Sequence, residues 1–489
     1  MVFPSLNSVR FRLERLERMM DRIAIQKSAL VQTVHPAQRM GATNLLQYLS
    51  LRNVDIRDLQ DDLHILGLSS LASSESHIQR QLQAILQRLG KEYKRGSLNP
   101  CDYRLSRKEI FRQSKLLFGI KRDENIPHIM VTFDSSFADD YFFIKQLLLD
   151  GMNVARINCA HDDETYWSKM IRNLRKACRN TGKPCKIYMD LPGPKIRTQL
   201  LKKGSADGKV TVKEGQLVWL ADDSRGFNKN DIVIGTGEPG IIPGLKTGDH
   251  VHIDDGLIRG KIVKKSKAYA QVRISRISSS KKRIKAEKGL NFPDSSLRLP
   301  PLTEYDKSCL PFISKHADLV GYSFVRHPKD LALLQDLLKT YKKQTPGIVL
   351  KIETPEAVKN LPALLFQGMR EKSFGVMIAR GDLAVEIGFE RMSEIQEEIL
   401  WICEAGHVPV VWATQVLENL NKTGLATRSE ITDAARAAMA ECVMINKGNH
   451  TLEVIKTLQD IFTRIGGHHI KKRYTFRPLS IATHFIRNR

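Results

Sequence analysis

The hydrophobic pattern changes period along the chain. Up to about residue 124, apolar residues recur at spacings of three and four, as in Leu13, Leu16, Met19, Met20 and Ile23. The segment NLLQYLSLRNVDIRDLQDDLHILGLSSL repeats the pattern, and SSESHIQRQLQAILQRLG opens on capping residues and closes on Gly90. This period predicts helices, and thus an all-helical N-terminal domain, read as a packing or dimerisation appendage with a ligand-binding module as the alternative. From about residue 125 short apolar runs alternate with helix patterns. HIMVTF, NVARIN and KIYMDL read as strands, and FFIKQLLLDG and TYWSKMIRNLRKACRNTG as helices. Near Thr198 this stops. KVTVKEGQLVWLA, DIVIG, DHVHIDDGLIRGKIVKKS and AYAQVRISRI are alternating strands broken by Gly and Asp, the pattern of a small β domain reaching about residue 288. Then βα alternation resumes with ADLVGYSF, GIVLKIE, FGVMIAR, VPVVWAT and CVMINK. Eight strands around one β insertion predict an α/β fold: a TIM (β/α)₈ barrel with a small β-barrel cap domain inserted after the third strand, preceded by the helical domain. The expected boundaries are 1–124, 125–198 for the first part of the barrel, 199–288 for the cap, and 289–489 for the second part and C-terminal tail.

Composition adds charge to this picture. The 77 Lys and Arg against 53 Asp and Glu give a net charge of +24, which suits anionic partners. The basic residues are dispersed, with no zinc knuckle or aromatic-basic signature, so no nucleic acid is expected. The seven cysteines form no C-x-x-C pair, and their spacing suggests neither a zinc site nor a disulfide framework. No apolar run reaches the ~18 residues of a membrane span. The Arg-rich start lacks a secretory apolar region, and Glu14, Glu17 and Asp21 argue against an organellar transit peptide. A cytoplasmic location is the expectation.

The candidate chemistry lies in Lys351-Ile352-Glu353 and Ala379-Arg380-Gly381-Asp382. Residues two apart on a strand share a face, so Lys351 and Glu353 project together. A second carboxylate, Asp382, follows at a turn rich in backbone N–H groups. Two carboxylates can hold a divalent metal with an ammonium beside it, which is what phosphoryl transfer uses.

NVARIN, MDLPGPKIRT, IDDGLI, KGLNFP, LKIET, VMIARGDLAVEI and VWATQVLENL resemble, in order, the motifs of the pyruvate kinase family over about residues 126–466. The resemblance implies transfer of a phosphoryl group from phosphoenolpyruvate to ADP, giving pyruvate and ATP, with Mg²⁺ (or Mn²⁺). It assigns catalytic roles to Lys351, Arg156, Thr414 and Arg197. Glu353 and Asp382 would bind the metal. Ala379, Arg380, Gly381, Asp382 and Asn158 would hold the substrate, with the N–H groups at 379–381 receiving its carboxylate. His161, Tyr166, Lys288 and Asp255 would line the nucleotide site, and the cap would close over it.

Four departures stand out. At the family's monovalent-cation site, Asn158 and Asp190 remain, but Ala160 and Leu191 replace a serine and a threonine, and Lys195 stands where potassium-dependent members carry Glu. K⁺ is therefore not expected to be required, its charge being supplied by an ammonium. The loop after the first strand reads Thr132, Phe133, Asp134, Ser135, Ser136 in place of T-I-G-P-A-S, and Asp134 is expected to weaken ADP binding. The last barrel loop, L-S-G-E-T in the family, reads Ile445, Asn446, Lys447, Gly448, Asn449, which bears on enolate protonation. The chain ends soon after the eighth strand, so no gating by sugar phosphates is expected. Two alternatives stay open beside the kinase: another Mg²⁺-dependent enolate-handling lyase or transferase, and a phosphometabolite-binding protein on the same barrel. A homo-oligomer through the barrel or the N-terminal helices is also open.

Overall fold

The computed structural model describes residues 4–121, 123, 126–202, 208–238, 240–278, 283–295, 297, 299–341, 345–466, 469–470 and 473–474. The expected boundary at 124–125 and the tail beyond 474 lie outside them. The first helices are α1 (Leu6–Gln26), α2 (Ser28–Thr33), α3 (Arg39–Arg52), α4 (Arg57–Ile65), α5 (Ile78–Arg88) and α6 (Tyr103–Phe118). In α1 the stripe Val9, Leu13, Leu16 and Met20 is buried, and Met19 and Ile23 are partly so. That stripe joins one continuous apolar core with the barrel helices.

The barrel opens with β1 (His128–Phe133), α7 (Tyr141–Leu149), β2 (Val154–Asn158), α8 (Glu164–Thr181) and β3 (Lys186–Asp190). The insertion then supplies β4 (Gln199–Lys202), β5 (Lys209–Thr211), β6 (Leu217–Ala221), β7 (Val233–Gly235), the short α9 (Ile241–Gly244), β8 (His250–Ile253), β9 (Ile258–Lys265), β10 (Tyr269–Ile277), β11 (Arg283–Lys285) and β12 (Leu290–Asn291). The barrel resumes with α10 (Glu304–His316), β13 (Leu319–Tyr322), α11 (Pro328–Thr340), β14 (Gly347–Ile352), α12 (Pro355–Lys359), α13 (Leu361–Gly368) and β15 (Phe374–Ala379). After it come α14 (Arg380–Ile387), α15 (Met392–Ala405), β16 (Val410–Ala413), α16 (Glu418–Thr423), α17 (Arg428–Ala437), β17 (Cys442–Ile445) and α18 (Thr451–Gly466), then a hairpin of β18 (His469–Ile470) and β19 (Arg473–Tyr474).

The eight strands β1, β2, β3, β13, β14, β15, β16 and β17 pair in parallel and close into a barrel. Their apolar runs are buried on both faces, as parallel strands under helices require. The insertion has its own core, built around Val218, Leu220, Ile234, Ile258 and Val272. Its main sheet runs β12-β8-β9-β10-β6-β7-β4. Where the sequence suggests a small closed β-barrel, the edge strands β4 and β12 are too short to pair with each other. The bridge Arg197–Gly289 just before them, with bonds from Thr198 N–H to Lys288 C=O and Leu290 N–H to Ile196 C=O, brings the two edges together.

The helix α6 closes the barrel at the N-terminal ends of its strands. Leu117 and Phe118 are fully buried and share one apolar cluster with the inward-facing Met130, Val154, Tyr188, Val349, Met377 and Val411. A Cβ on Gly375 would lie 2.4 Å from a Leu117 methyl, so the glycine lets the plug approach this strand closely. A second close approach fixes α3 on the barrel. A Cβ on Gly41 would lie 2.3 Å from the Gly406 carbonyl oxygen, and Asn44 donates to the Ala405 carbonyl nearby at 2.8 Å.

Candidate functional site at the barrel mouth

The C-terminal ends of the barrel strands carry a chain of alternating charges. Arg156, at the middle of β2, reaches Asp190 at the end of β3, with Nη2 to Oδ2 at 2.6 Å and Nε to Oδ2 at 3.0 Å. Its remaining arm donates to the Thr132 hydroxyl at 3.1 Å. Lys351 on β14 stands 3.4 Å from Asp190 and 3.1 Å from Glu353. Its Nζ also donates to Ser323 Oγ at 2.7 Å, and Ser323 in turn donates to the Leu191 carbonyl at 2.6 Å. Glu353 is buried and accepts the Phe324 N–H at 2.6 Å. Phe324 has a φ of 54°, a conformation that costs a bulky residue energy and aims this N–H at the carboxylate.

The charges set one another's proton affinity. Burial raises the Asp190 carboxyl, but Lys351 and Arg156 outweigh it and hold its pKa below the usual carboxylate range. Burial likewise works to lower Lys351, and Asp190 and Glu353 hold its pKa above the ordinary value. Glu353 goes the other way. Burial raises its pKa, Lys351 opposes, and the nearby Asp382 adds to the rise. Two carboxylates pushed together in this way suit a divalent cation. Among the described residues no group of three or more His, Cys, Asp and Glu is disposed to hold a metal. Two protein carboxylates fit Mg²⁺, which keeps waters and substrate oxygens in its shell.

Asp382 lies in the first turn of α14, whose N-cap is Ala379. Its Oδ1 meets Lys195 Nζ at 2.6 Å. The Gly381 N–H donates to Thr414 Oγ1 at 2.9 Å. Thr414, Gln415 and Leu417 all have positive φ, so the loop after β16 is tightly wound where Thr414 meets the helix start. The Arg380 side chain turns away to Asp433 and to the Ala413 and Thr414 carbonyls, with its guanidinium over the Trp412 ring.

The remaining candidates sit farther out. Asn158 Oδ1 accepts the Ala160 N–H at 3.1 Å. Asn158 lies opposite Asp190 on the adjoining strands, the Asp190 carboxylate is engaged by Arg156, Lys351 and Tyr188, and Lys195 pairs with Asp382. His161 is largely exposed in the loop before α8, and its pKa is lowered by partial desolvation and by the nearby cations Arg197 and Lys447. Tyr166 is exposed on the first turn of α8. From the cap side, Arg197 donates to the Glu287 carbonyl at 3.1 Å, and Lys288 lies 3.4 Å from Asp254. Asp255 lies within electrostatic reach of Lys195 and Asp382. Another cap-to-barrel bond joins Asn291 to Glu386 at 2.7 Å.

Sequence reasoning missed several members. Ser323 and Phe324, at the end of β13, form the second wall of the Lys351–Glu353 pocket. Their position in GYSF, at the end of a barrel strand, was the available signal. The pairing of Lys447 with Asp134 at 2.9 Å was also missed. Asp134 therefore does not add bare negative charge to the mouth, as its sequence position suggested.

A closed parallel barrel with an inserted β cap and a polar cluster at the strand C-termini defines a (β/α)₈ protein whose site is assembled from strand-end loops. Residues 127–452 match the family described as pyruvate kinase, barrel domain, and the chain belongs to that family. It is 33% identical over 334 residues to a pyruvate kinase of Bacillus licheniformis, covering 66% of this chain and 54% of the relative. It is 32% identical over 361 residues to human pyruvate kinase PKLR, covering 71% and 60%. The likeness to the Thermotoga maritima pyruvate kinase is 29% over 353 residues, covering 71% and 72%. The chain thus spans little more than half the length of most of these relatives. Among the described residues no helix is long and apolar enough to cross a membrane.

Proposed function

We propose that the protein is a phosphotransferase that converts phosphoenolpyruvate and ADP to pyruvate and ATP. The observation that carries this reading is the run of Arg156, Asp190, Lys351 and Glu353 across adjacent strand ends, with Asp382 beside it. A magnesium ion held by Glu353 and Asp382 would neutralise charge on the phosphoryl and carboxylate oxygens of the substrate. Arg156 would grip the phosphoryl group with its guanidinium fork. As the P–O bond to the enol oxygen breaks and the bond to the ADP oxygen forms, Lys351 would stabilise the negative charge left on the enolate. The start of α14, at Gly381 and Asp382, would orient the substrate carboxylate. Thr414 would set the water that delivers a proton to the enolate carbon, completing pyruvate. Arg197, His161, Tyr166, Lys288 and Asp255 would meet the nucleotide as the cap closes and excludes water.

The reaction is expected to run without added K⁺. Ala160 brings no side-chain oxygen, the Leu191 carbonyl already accepts the Ser323 hydroxyl, Asn158 is engaged with its own turn, and cations already flank Asp190. Turnover in Na⁺ or tetramethylammonium salts should match that in K⁺ salts, and a strict K⁺ requirement would remove this part. The loss of a serine and a glutamate in the loop 445–449 favours a second reading, an enolate-handling enzyme with a different acceptor. A lactate-dehydrogenase-coupled assay with phosphoenolpyruvate, ADP and Mg²⁺ decides between them. NADH oxidation that depends on both substrates supports the kinase. Phosphoenolpyruvate binding without ADP-dependent turnover supports the second reading.

A further inference from the structure

We propose that Cys159 and Cys309 form a redox dithiol at the side of the barrel mouth, which a hydroperoxide converts to a disulfide that weakens substrate binding. Cys159 directly follows the last residue of β2, and Cys309 lies in the second turn of α10. The Tyr305 hydroxyl donates to the Cys159 carbonyl at 3.0 Å, which seats the start of α10 on the end of β2. Residues four apart on a helix share a face, so Cys309 meets the same place one turn later. There the two side chains are hydrogen-bonded to each other, with Cys159 as donor. Both are free thiols.

The surroundings make Cys309 the reactive member. Cys159 is fully buried and Cys309 is 3% exposed. Tyr305 and Ser308 are exposed and both bond to the Cys309 sulfur, so it lies just beneath the surface. The bond from Cys159 outweighs burial and holds the Cys309 thiol below its ordinary pKa, with Tyr305 and Ser308 adding to the effect. The thiolate is the nucleophile in such chemistry. By contrast, burial pushes the Cys101 thiol up to about 12 and raises Cys442 as well.

The Cys309 sulfur attacks one peroxide oxygen. The S–O bond forms as the O–O bond breaks, and water leaves with the thiol proton. The Cys159 sulfur then attacks Cys309 Sγ. The S–S bond forms, the S–O bond breaks, and hydroxide leaves as water with the Cys159 proton. The thiols give up an electron pair, and the peroxide is reduced to water. A disulfide holds its sulfurs at about 2.05 Å, closer than hydrogen-bonded thiols, so β2's end and α10 are drawn together. The Cys159 N–H donates to the Asp190 carbonyl at 2.9 Å, and the Asp190 carboxylate holds Arg156 at 2.6 Å. At the start of α10, Asp306 accepts the Gly193 N–H at 3.0 Å, in the segment leading from β3 to the cap. The effect on binding rests on the reading of this mouth as a phosphoenolpyruvate site, while the dithiol itself does not.

The test is hydrogen peroxide treatment of the full chain, tryptic mapping of its disulfides, and calorimetric binding of phosphoenolpyruvate with Mg²⁺ before and after. The map should show Cys159 joined to Cys309. Phosphoenolpyruvate affinity should fall about tenfold, the scale on which displacement of a positioning group is felt, and dithiothreitol should restore it. Cys309→Ser should keep the reduced wild-type affinity after peroxide, and Cys159→Ser should trap Cys309 as a sulfenic acid that dimedone labels. Two unmodified thiols would overturn the proposal, as would a disulfide only between Cys178 and Cys185, whose side chain and backbone also meet. A Cys159–Cys309 disulfide with unchanged affinity would overturn its effect on binding. Failure of the reduced wild type to bind phosphoenolpyruvate would sink the reading of the mouth separately, because the peptide map reports on the dithiol without it.

Discussion

At the closed end of the barrel, Leu117 and Phe118 of α6 fill the space between the strand starts with hydrocarbon. At the open end, Arg156, Asp190, Lys351 and Glu353 stand in mutual contact in positions almost as buried. One six-residue strand, β14, spans both environments. Gly347 at its start packs against Leu117, and Lys351 near its end faces two carboxylates. The closed end gains stability from buried apolar area, each large side chain contributing about 1.5–3 kcal/mol. The open end gathers charges whose desolvation costs energy and whose partners only offset it. A protein assembled for stability alone would have no use for such a cluster. The contrast predicts that the two ends respond to mutation in different observables.

The largest effect is expected at the open end. Lys351→Met should lower kcat by about a thousandfold, the scale seen when one preorganised donor is removed. Unchanged turnover in the coupled assay would mean the site is misassigned. At the closed end, Phe118→Ala should destabilise the fold by about 3–5 kcal/mol while leaving KM for phosphoenolpyruvate unchanged in the folded fraction. Denaturant unfolding measures the first and steady-state kinetics the second. A large loss of substrate affinity at full stability would break the division between the ends.

A smaller effect lies between barrel and cap. Burial raises the Glu386 pKa to about 7, the Asn291 bond opposes this, and Asp382 and Glu356 add to the rise. The folded-state pKa therefore exceeds the unfolded one, and the native state favours the protonated acid. The stabilising contribution is fully present below the ordinary glutamate pKa and is lost as pH rises through about 7. Wild-type Tm should fall by on the order of a few degrees across that window, and Glu386→Gln should flatten the decline. An equal slope in both proteins would show that Glu386 has no part in it.

The barrel and its helices were legible because each strand is an apolar run between helix patterns. The Lys351–Glu353 pairing was legible because strand periodicity places residues two apart on one face. Contacts between distant loops were not legible. The plug by Leu117 and Phe118 depends on where α6 ends relative to strand starts remote in sequence, and nothing in the α6 periodicity distinguishes a plug from an ordinary packed face. Lys447 and Asp134 are more than three hundred residues apart, and each alone reads as a lost family residue. The short cap edges also defeated the pattern, because strands of two to four residues carry too little alternation to reveal whether the sheet closes.

The claim on which the rest depends is that Glu353 and Asp382 form one divalent-cation site beside Lys351. Oxalate mimics the enolate, and calorimetric titration of Mg²⁺ into the oxalate-saturated protein tests the claim most directly. The account predicts a single Mg²⁺ site in the wild type, weakened at least tenfold in Glu353→Gln and similarly in Asp382→Asn. Identical Mg²⁺ midpoints in all three proteins would contradict it.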